Sequence, residues 1–526
     1  MTNPARTCAA LIVLLVLGAA GAACLSPFPQ AGPGPAAAAS RDSPAPALSD
    51  TGSGRVFLNE TGTKNQYAAG ELIVRFDPAR FRTPAEMQAY MDALHARTGA
   101  QVIREFNAAA LPGLQLVRLP PSLPVPDAAV LYTRDPGVLY AEPEYRILPA
   151  AGSAGLQEAK GSAPQQDRMP VIPDDPEFSR QYYLQNTGQD VLNTSGTGGA
   201  DINATAAWTN SRGSAAVIAG ILDTGIDTAD PDLAGNIRAG PGTGGAGRNF
   251  AGGARDDRVE DRQGHGTAVA RILGAVTNNS RGTAGVAWEV RLVALRVFGT
   301  GSGDTTTTAD LIDAIQYADE NNVTVITIAW TTTAGSRALE DAIRASPALF
   351  VAAAGNSGSD NDLAPRYPAS YRLPNLVAVA ATDNTDRLAP FSNYGRESVD
   401  LAAPGTGIPV YACADPGAAD PRCGYYLMDG TSAAVPQVAG VAVLVKSANP
   451  RLTAPELREI LRTSAKPLPS LAGKTASGGR LDAYAAVWAA GQAGKPGTAG
   501  LPVTPCLPGS CRTSGTATGQ LQGLCR

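Results

Sequence analysis

Histidine occurs only twice in the 526 residues, and one of the two stands between glycines in Gly264-His265-Gly266-Thr267. Upstream of it lies Asp223-Thr224-Gly225, and downstream Gly430-Thr431-Ser432. A carboxylate, an imidazole and a hydroxyl in one chain are the parts of nucleophilic acyl transfer. A serine hydroxyl attacks poorly at neutral pH, so it needs a base within hydrogen-bond reach and a carboxylate that fixes the base's tautomer. The scarcity of histidine makes His265 the base almost by elimination. The oxyanion that forms on attack needs donors already in place. The Ser432 N–H at a helix start supplies one, and Asn356 in Gly355-Asn356-Ser357-Gly358 offers the other.

The elements around these residues have the form the chemistry needs. Residues 215–222 are an apolar run that reads as a buried parallel strand, with Asp223 at its C-terminal edge. His265 precedes the helix-like stretch 267–273, and Ser432 opens a long run of small and apolar residues, 433–447, in which Pro436 fits only within the first turn. A second buried strand, 351–354, delivers Asn356. Between them the pattern alternates: strand 290–298, helix 309–321, strand 323–330, helix 337–345, strand 348–353, strand 376–382. Such alternation specifies a parallel sheet with helices on both faces. Ligand sites in these sheets lie beyond the strands' C-terminal ends, where Asp223, Trp330 and Asn356 fall. Taken singly, each triplet is ordinary: Asp-Thr-Gly and Gly-Asn are turn residues, and a serine at a helix start is usually an N-cap. Their joint order and context carry the catalytic reading.

With these four motifs the chain resembles the subtilisin-like serine proteases, the subtilases, from Asp175 to Val487. The resemblance implies a three-layer α/β protease domain with a mostly parallel sheet. It also implies Asp223 as acid, His265 as base, Ser432 as nucleophile and Asn356 as oxyanion donor. Ala329, Trp330, Thr331 and Gly355 would line the substrate cleft, with a broad, apolar preference. The chain departs from the family pattern at Ala433 and Gln437, which replace Met and a second His, and at Ala268 and Arg271, which replace His and Gly. The edge Ala329-Trp330-Thr331 stands where the family usually ends a strand in Ser-Leu-Gly or Ser-Trp-Gly, which bears on specificity rather than on the bond-breaking chemistry. Nothing in the sequence explains a charge at Arg271. A structural calcium ion is a further implication, since calcium takes six to eight oxygens from flexible loops. Its side-chain ligands would be Asp175, Asp232 and Asn279, with carbonyls of Thr277, Arg281 and Thr283. The alternative is a catalytically inactive subtilase fold that binds peptides or serves as a surface scaffold. An esterase is less consistent, because its nucleophile elbow reads Gly-x-Ser-x-Gly and Ser432 is followed by Ala433-Ala434.

The rest of the chain frames this domain, 173–490. Arg6 and the apolar residues 9–23 read as an export signal, too short to span a membrane comfortably. Cys24, directly after Gly21-Ala22-Ala23, opens the alternative of a lipid anchor and a cell-envelope location instead of secretion. Residues 24–65 are rich in Pro, Ala, Gly and Ser and read as a disordered linker. Residues 66–150 show a βαββαβ-like order: alternating strand 71–76, helix 84–97 with His95 on its surface, strand 114–119, helix 125–135 and an edge strand 138–145 broken by Pro143. This α+β, ferredoxin-like unit resembles subtilase propeptides, so the chain's own N-terminal domain is the expected intramolecular inhibitor, cut off between Ile147 and Pro173 after a linker, 151–172. Of seven cysteines, Cys413 and Cys423 bracket a loop ahead of Ser432 and are expected to pair, as export permits. Cys506, Cys511 and Cys525 lie in a flexible tail, 491–526. No Cys or His cluster suggests zinc. A net charge of −5 without a basic cluster gives no case for nucleic acid. The expected partners are protein or peptide substrates, met by a monomer.

Overall fold

A computed structural model describes residues 67–147 and 170–493, apart from 107–108, 110, 239–244, 300–304 and 415–421. The export segment, Cys24, the first linker and the cysteine-containing tail lie outside the described residues.

The N-terminal domain runs β1 (Tyr67–Phe76), α1 (Pro84–Thr98), β2 (Gln101–Glu105), β3 (Leu114–Arg118), α2 (Val125–Thr133) and β4 (Val138–Ile147). Thr83 starts α1 by accepting the Glu86 N–H at 3.1 Å, with Pro84 just inside. Side chains alternate across a strand, so the sheet has two apolar faces with different jobs. Leu72, Val74 and Phe76 pack with Val117, Ala128 and Tyr132 in the domain's own core. Ile73, Leu114, Leu116, Tyr140 and Ile147 face the other way and pack into an apolar cluster of the larger domain. The free edge of β4 is not left open. It pairs antiparallel with the short strand Thr306–Thr307, Ile147 opposite Thr306 and Arg146 opposite Thr307.

The larger domain is built on a nine-stranded sheet in the order Lys466–Pro467, Gly479–Arg480, Leu401–Pro404, Leu376–Thr382, Leu349–Ala353, Val325–Ile328, Gly213–Asp223, Glu289–Arg296, Gly247–Asn249. All neighbours are parallel except the first pair. The central strands carry unbroken apolar runs because both faces are covered. One face packs on the helix Thr431–Ala448, buried from Thr431 to Val445. The other packs on the helices Thr308–Glu320 and Arg337–Ala345. The three-layer architecture and the small α+β domain are therefore both present. Asp223 ends its strand beside Arg296 of the neighbouring one, at the sheet's C-terminal rim.

Three sequence expectations need correction, the first at Pro436, which lies inside the helix Thr431–Ala448, beyond its first turn. His95 is not on the surface of α1: it is 4% exposed, with Tyr132 and Gln115 on its two ring nitrogens. Its partners come from α2 and β3, far away in sequence, which helix periodicity cannot reveal. The edge-strand reading of β4 holds only within the N-terminal domain, since Thr306–Thr307 closes that edge.

Candidate active site

His265 heads the helix His265–Gly274, and Ser432 lies in the first turn of Thr431–Ala448; the two helices pack against each other. His265 Nδ1 lies 2.7 Å from Asp223 Oδ1, so Nδ1 carries the proton and Nε2 is left as the free base. Asp223 Oδ1 also accepts the Thr224 N–H at 2.8 Å, while its Oδ2 is buried with no hydrogen-bond partner among the described residues. A carboxylate oxygen so placed favours positive charge on the neighbouring ring. Burial lowers the His265 pKa, but the Asp223 charge and hydrogen bond, helped by Asp261, outweigh it and raise the ring above its ordinary value.

The Gly-His-Gly spacing has a steric reason. A Cβ on Gly266 would sit 2.2 Å from the Gly225 carbonyl oxygen, so the helix start rests directly on the turn after Asp223. The Gly266 N–H donates to Thr224 Oγ1 at 2.9 Å across the same contact. Asp261, unsuspected from sequence, ties down the approach to His265. Its Oδ1 accepts the Gln263 and Gly264 N–H groups, and its Oδ2 the N–H and hydroxyl of Thr267. The Asp-x-Gln-Gly spacing, typical of a side-chain-capped turn, was the available signal.

Asn356 is oriented by the residue before the nucleophile. Its Oδ1 accepts both the N–H and the hydroxyl of Thr431, each at 2.9 Å, which turns Nδ2 the other way. A Cβ on Gly430 would lie 2.8 Å from Ser432 Oγ and 3.2 Å from Asn356 Nδ2. The nucleophile and the amide donor thus converge on a position that only glycine, at φ +147°, leaves open. Gly355 donates its N–H to Thr431 Oγ1 at 3.2 Å and packs on Asn393 and the stem of Arg366. Asn393 is a second residue that sequence reasoning missed. It is fully buried, takes the Ser357 and Ser359 N–H groups on Oδ1, and donates its own N–H to the Gly355 carbonyl.

Ala329, Trp330 and Thr331 follow the strand Val325–Ile328 and are all buried. The Trp330 indole is committed to the core, donating to the Leu222 carbonyl at 2.9 Å and meeting Phe298 edge to face. The indole's polar edge is therefore already engaged within the protein.

The residues assigned to calcium do come together. Asp232 Oδ1 takes the Asn279 side-chain amide at 3.1 Å, and its Oδ2 takes the Thr283 N–H at 3.0 Å. Asp175 Oδ2 accepts the Asn278 N–H at 2.7 Å, while Asp175 Oδ1 is buried without a partner among the described residues. Thr277 is buried, and its hydroxyl bonds within the loop to Ala275 and Gly285. Arg281 is exposed and donates its N–H to Asn279 Oδ1. Among the described residues no three His, Cys, Asp or Glu side chains gather as a metal site. Arg271 has found partners: Asp230, Asp232 and the ring of Tyr411.

A parallel α/β sheet whose rim presents an Asp–His pair, a helix-start serine and an oriented amide defines a serine hydrolase of the subtilisin type. Comparison with known families agrees. Residues 213–491 match the model of the subtilase family, and residues 56–144 that of the fervidolysin N-terminal prodomain. Thermitase from Thermoactinomyces vulgaris is 37% identical over 60% of this chain and 99% of its own length. A thermophilic serine proteinase from Bacillus sp. strain AK1 is 31% identical over 82% of this chain and 90% of its own. The structure of fervidolysin from Fervidobacterium pennivorans shares the fold over 83% of this chain and 63% of its own, with a TM-score of 0.60 at 18% identity. The chain belongs to the subtilase family and is a subtilisin-like serine protease with an N-terminal prodomain.

Proposed function

We propose that the protein is an exported serine endopeptidase, made as a zymogen that cuts itself between Ile147 and Pro173 and then hydrolyses protein or peptide substrates. The observation that carries this reading is the convergence of Ser432 Oγ and Asn356 Nδ2 on Gly430. Ser432 Oγ attacks the scissile carbonyl carbon and its proton passes to His265 Nε2. The carbonyl oxygen, now negative, is stabilised by the Ser432 N–H and the Asn356 amide. His265 returns the proton to the leaving amine, which departs and leaves an acyl-serine. Water, deprotonated by His265, then attacks the acyl carbon, and Ser432 recovers its proton as the carboxylic acid leaves. Pairing of β4 with Thr306–Thr307 supports the zymogen reading, because it ties Arg146 and Ile147, at the end of the prodomain, to a strand of the protease domain.

Calcium fits the loop in part. The partnerless buried oxygen of Asp175, the nearby charge of Asp232 and Asn279 are the donor chemistry of a hard cation. When bound, the ion would neutralise these carboxylates and hold the 277–283 loop; it takes no part in bond cleavage. The hairpin Ile408–Ala414/Arg422–Met428 sets Cys413 opposite Cys423 in register, a pairing of backbones close enough for a disulfide. Export, with lipidation of Cys24 as its variant, and a monomeric state complete the proposal on sequence grounds.

The test is expression of the wild type beside Ser432→Ala, following chain length and hydrolysis of a denatured protein. Trimming between Ile147 and Pro173 together with substrate loss in the wild type, and a full-length inert alanine variant, is the expected result. A wild type that stays full length and inert at neutral and alkaline pH overturns it.

A further inference from the structure

Arg271 stands in the last turn of the His265–Gly274 helix, at a position where the family pattern has glycine, and it is 4% exposed. Its Nε and Nη2 hold the two oxygens of Asp230 at 2.5 and 2.6 Å, and its Nη1 reaches Asp232 Oδ2 at 3.1 Å. Its Cζ lies 4.8 Å from the centre of the Tyr411 ring on the 408–428 hairpin. This is the bidentate, ring-stacked geometry that arginine offers and lysine does not. Asp232 receives the Asn279 amide and the Thr283 N–H as well, so both of its oxygens have donors and one has a full positive charge beside it.

Asp232 is also the carboxylate that family resemblance gives to calcium. Asp230 and Asp232 are both buried, and two such anions two residues apart need a cation. Calcium affinity rises with the net negative charge of its ligands, and Arg271 removes one negative charge from this pair. We infer that Arg271 is an internal counter-ion that takes over, at Asp232, the charge compensation a calcium ion would supply, so that the 277–283 loop keeps its shape with little calcium. The inference rests on the calcium reading only for where the ion would sit. It also accounts for the one substitution in the His265 motif that the sequence left unexplained.

The experiment is thermal melting of the full chain in a Ser432→Ala background, which prevents self-digestion, in EDTA and in calcium at about 1 mM. The chain with Arg271 is expected to shift by less than about 2 °C between the two. Arg271→Met keeps the stem and loses the charge. It should melt about 10 °C lower in EDTA, and calcium should restore at least half of that loss. Arg271→Lys, which keeps a charge without the fork, covers the case in which the methionine variant does not accumulate; its calcium shift should exceed that of the parent. A calcium shift in both variants no larger than the parent's overturns the inference. If the parent itself shifts strongly and the variants gain nothing, the calcium reading stands and the inference falls. If calcium moves none of the three, both fall.

Discussion

Glu142 of the prodomain caps a helix of the protease at Ser336. Its Oε1 accepts the Ser336 hydroxyl at 2.6 Å and the Ala338 N–H at 3.1 Å, and its Oε2 accepts the Arg337 N–H at 3.0 Å. Three donors at a helix start, where backbone N–H groups lack partners, are a favourable place for a carboxylate. Burial nevertheless raises its pKa, against the pull of those donors. Glu142→Ala should weaken inhibition of the mature enzyme by added prodomain about 10- to 100-fold, on the order of 2 kcal/mol. An unchanged inhibition constant would show that the cap is incidental to docking.

Glu144 performs the same task one helix over, accepting the Ala309 N–H at 3.1 Å. Burial pushes its carboxyl up to about 8, against the Thr307 hydroxyl and the Ala309 N–H, while Asp310 and Glu71 add to the rise. Its Oε2 is buried without a partner among the described residues. A Glu144 carboxyl exposed to water on separation of the prodomain would titrate at its ordinary value of 4.5. The docked state then holds a proton that the free state gives up. Docking is therefore strongest below about 4.5 and weakens as pH rises to about 8. Glu144→Gln removes this titration. Its inhibition constant should be flatter than wild type between about pH 5 and about pH 8, and lower at the alkaline end; parallel curves for the two proteins would refute the assignment.

Asn356 and Thr431 form a donor and its orienting partner. Asn356→Ala should lower kcat by about 10²- to 10³-fold with little change in KM, because the amide acts on charge that appears only in the transition state. Thr431→Val removes one of the two bonds that turn the amide, the hydroxyl at 2.9 Å, and leaves the N–H. About a tenfold loss in kcat is expected, smaller than for Asn356→Ala. Equal losses from the two substitutions would mean that Thr431 does more than orient the amide.

What the sequence made legible, and what it did not, follows from how local each signal is. Asp223, His265, Asn356 and Ser432 each lie in a short motif at a strand end or helix start, and those contexts read directly from the flanking residues. Most of the prodomain's βαββαβ order was equally local, because period and turn residues mark both helices and three strands, whereas β2, almost all of it exposed, carries no buried stripe to mark it. Asn393 was missed because it acts mainly through hydrogen bonds to backbone groups, which leave almost no trace in residue type, and Asp261 because its only signal was the spacing of a side-chain-capped turn. Arg271 was flagged but not explained, since its partners Asp230 and Tyr411 lie 41 and 140 positions away. Trp330 was assigned to the cleft by its place in a motif, while packing against Phe298 decided where its ring went.

His265 accepts a proton only when neutral. Burial lowers its pKa, but the charges of Asp223 and Asp261 outweigh burial and hold the ring above 6.5. Activity should therefore be lost as pH falls through a midpoint above 6.5 and be full on the alkaline side. Asp261→Asn removes one of the anions that favour the imidazolium, so the midpoint should move down. A profile of kcat/KM from about pH 5 to about pH 9 reads this shift; a midpoint that stays in place while kcat/KM drops at all pH values would assign Asp261 to loop structure alone.

His95, the other histidine, predicts a second pH limit with the opposite sign to Glu144. Its Nε2 lies 2.8 Å from Gln115 Oε1, which can only accept, so Nε2 carries the proton. Nδ1 then accepts from the Tyr132 hydroxyl, also at 2.8 Å. Gln115 is fixed in this orientation by its own amide, which donates to Glu105 at 3.0 Å. Protonating Nδ1 would turn an acceptor into a donor inside the prodomain core, where the ring stands at right angles to Phe76. Burial accordingly lowers the His95 pKa, outweighing the Gln115 bond and the Asp92 charge. The unfolded chain titrates at the ordinary value of 6.5, so below it the unfolded state binds more protons than the folded one. Prodomain stability is fully present above about 6.5 and declines as pH falls from there toward the lower folded value. Melting of the full-length Ser432→Ala protein should show the prodomain transition moving to lower temperature below about pH 6.5, and His95→Gln should flatten that dependence. If the transition of His95→Gln falls with acid as steeply as the parent's, His95 is not the group that titrates.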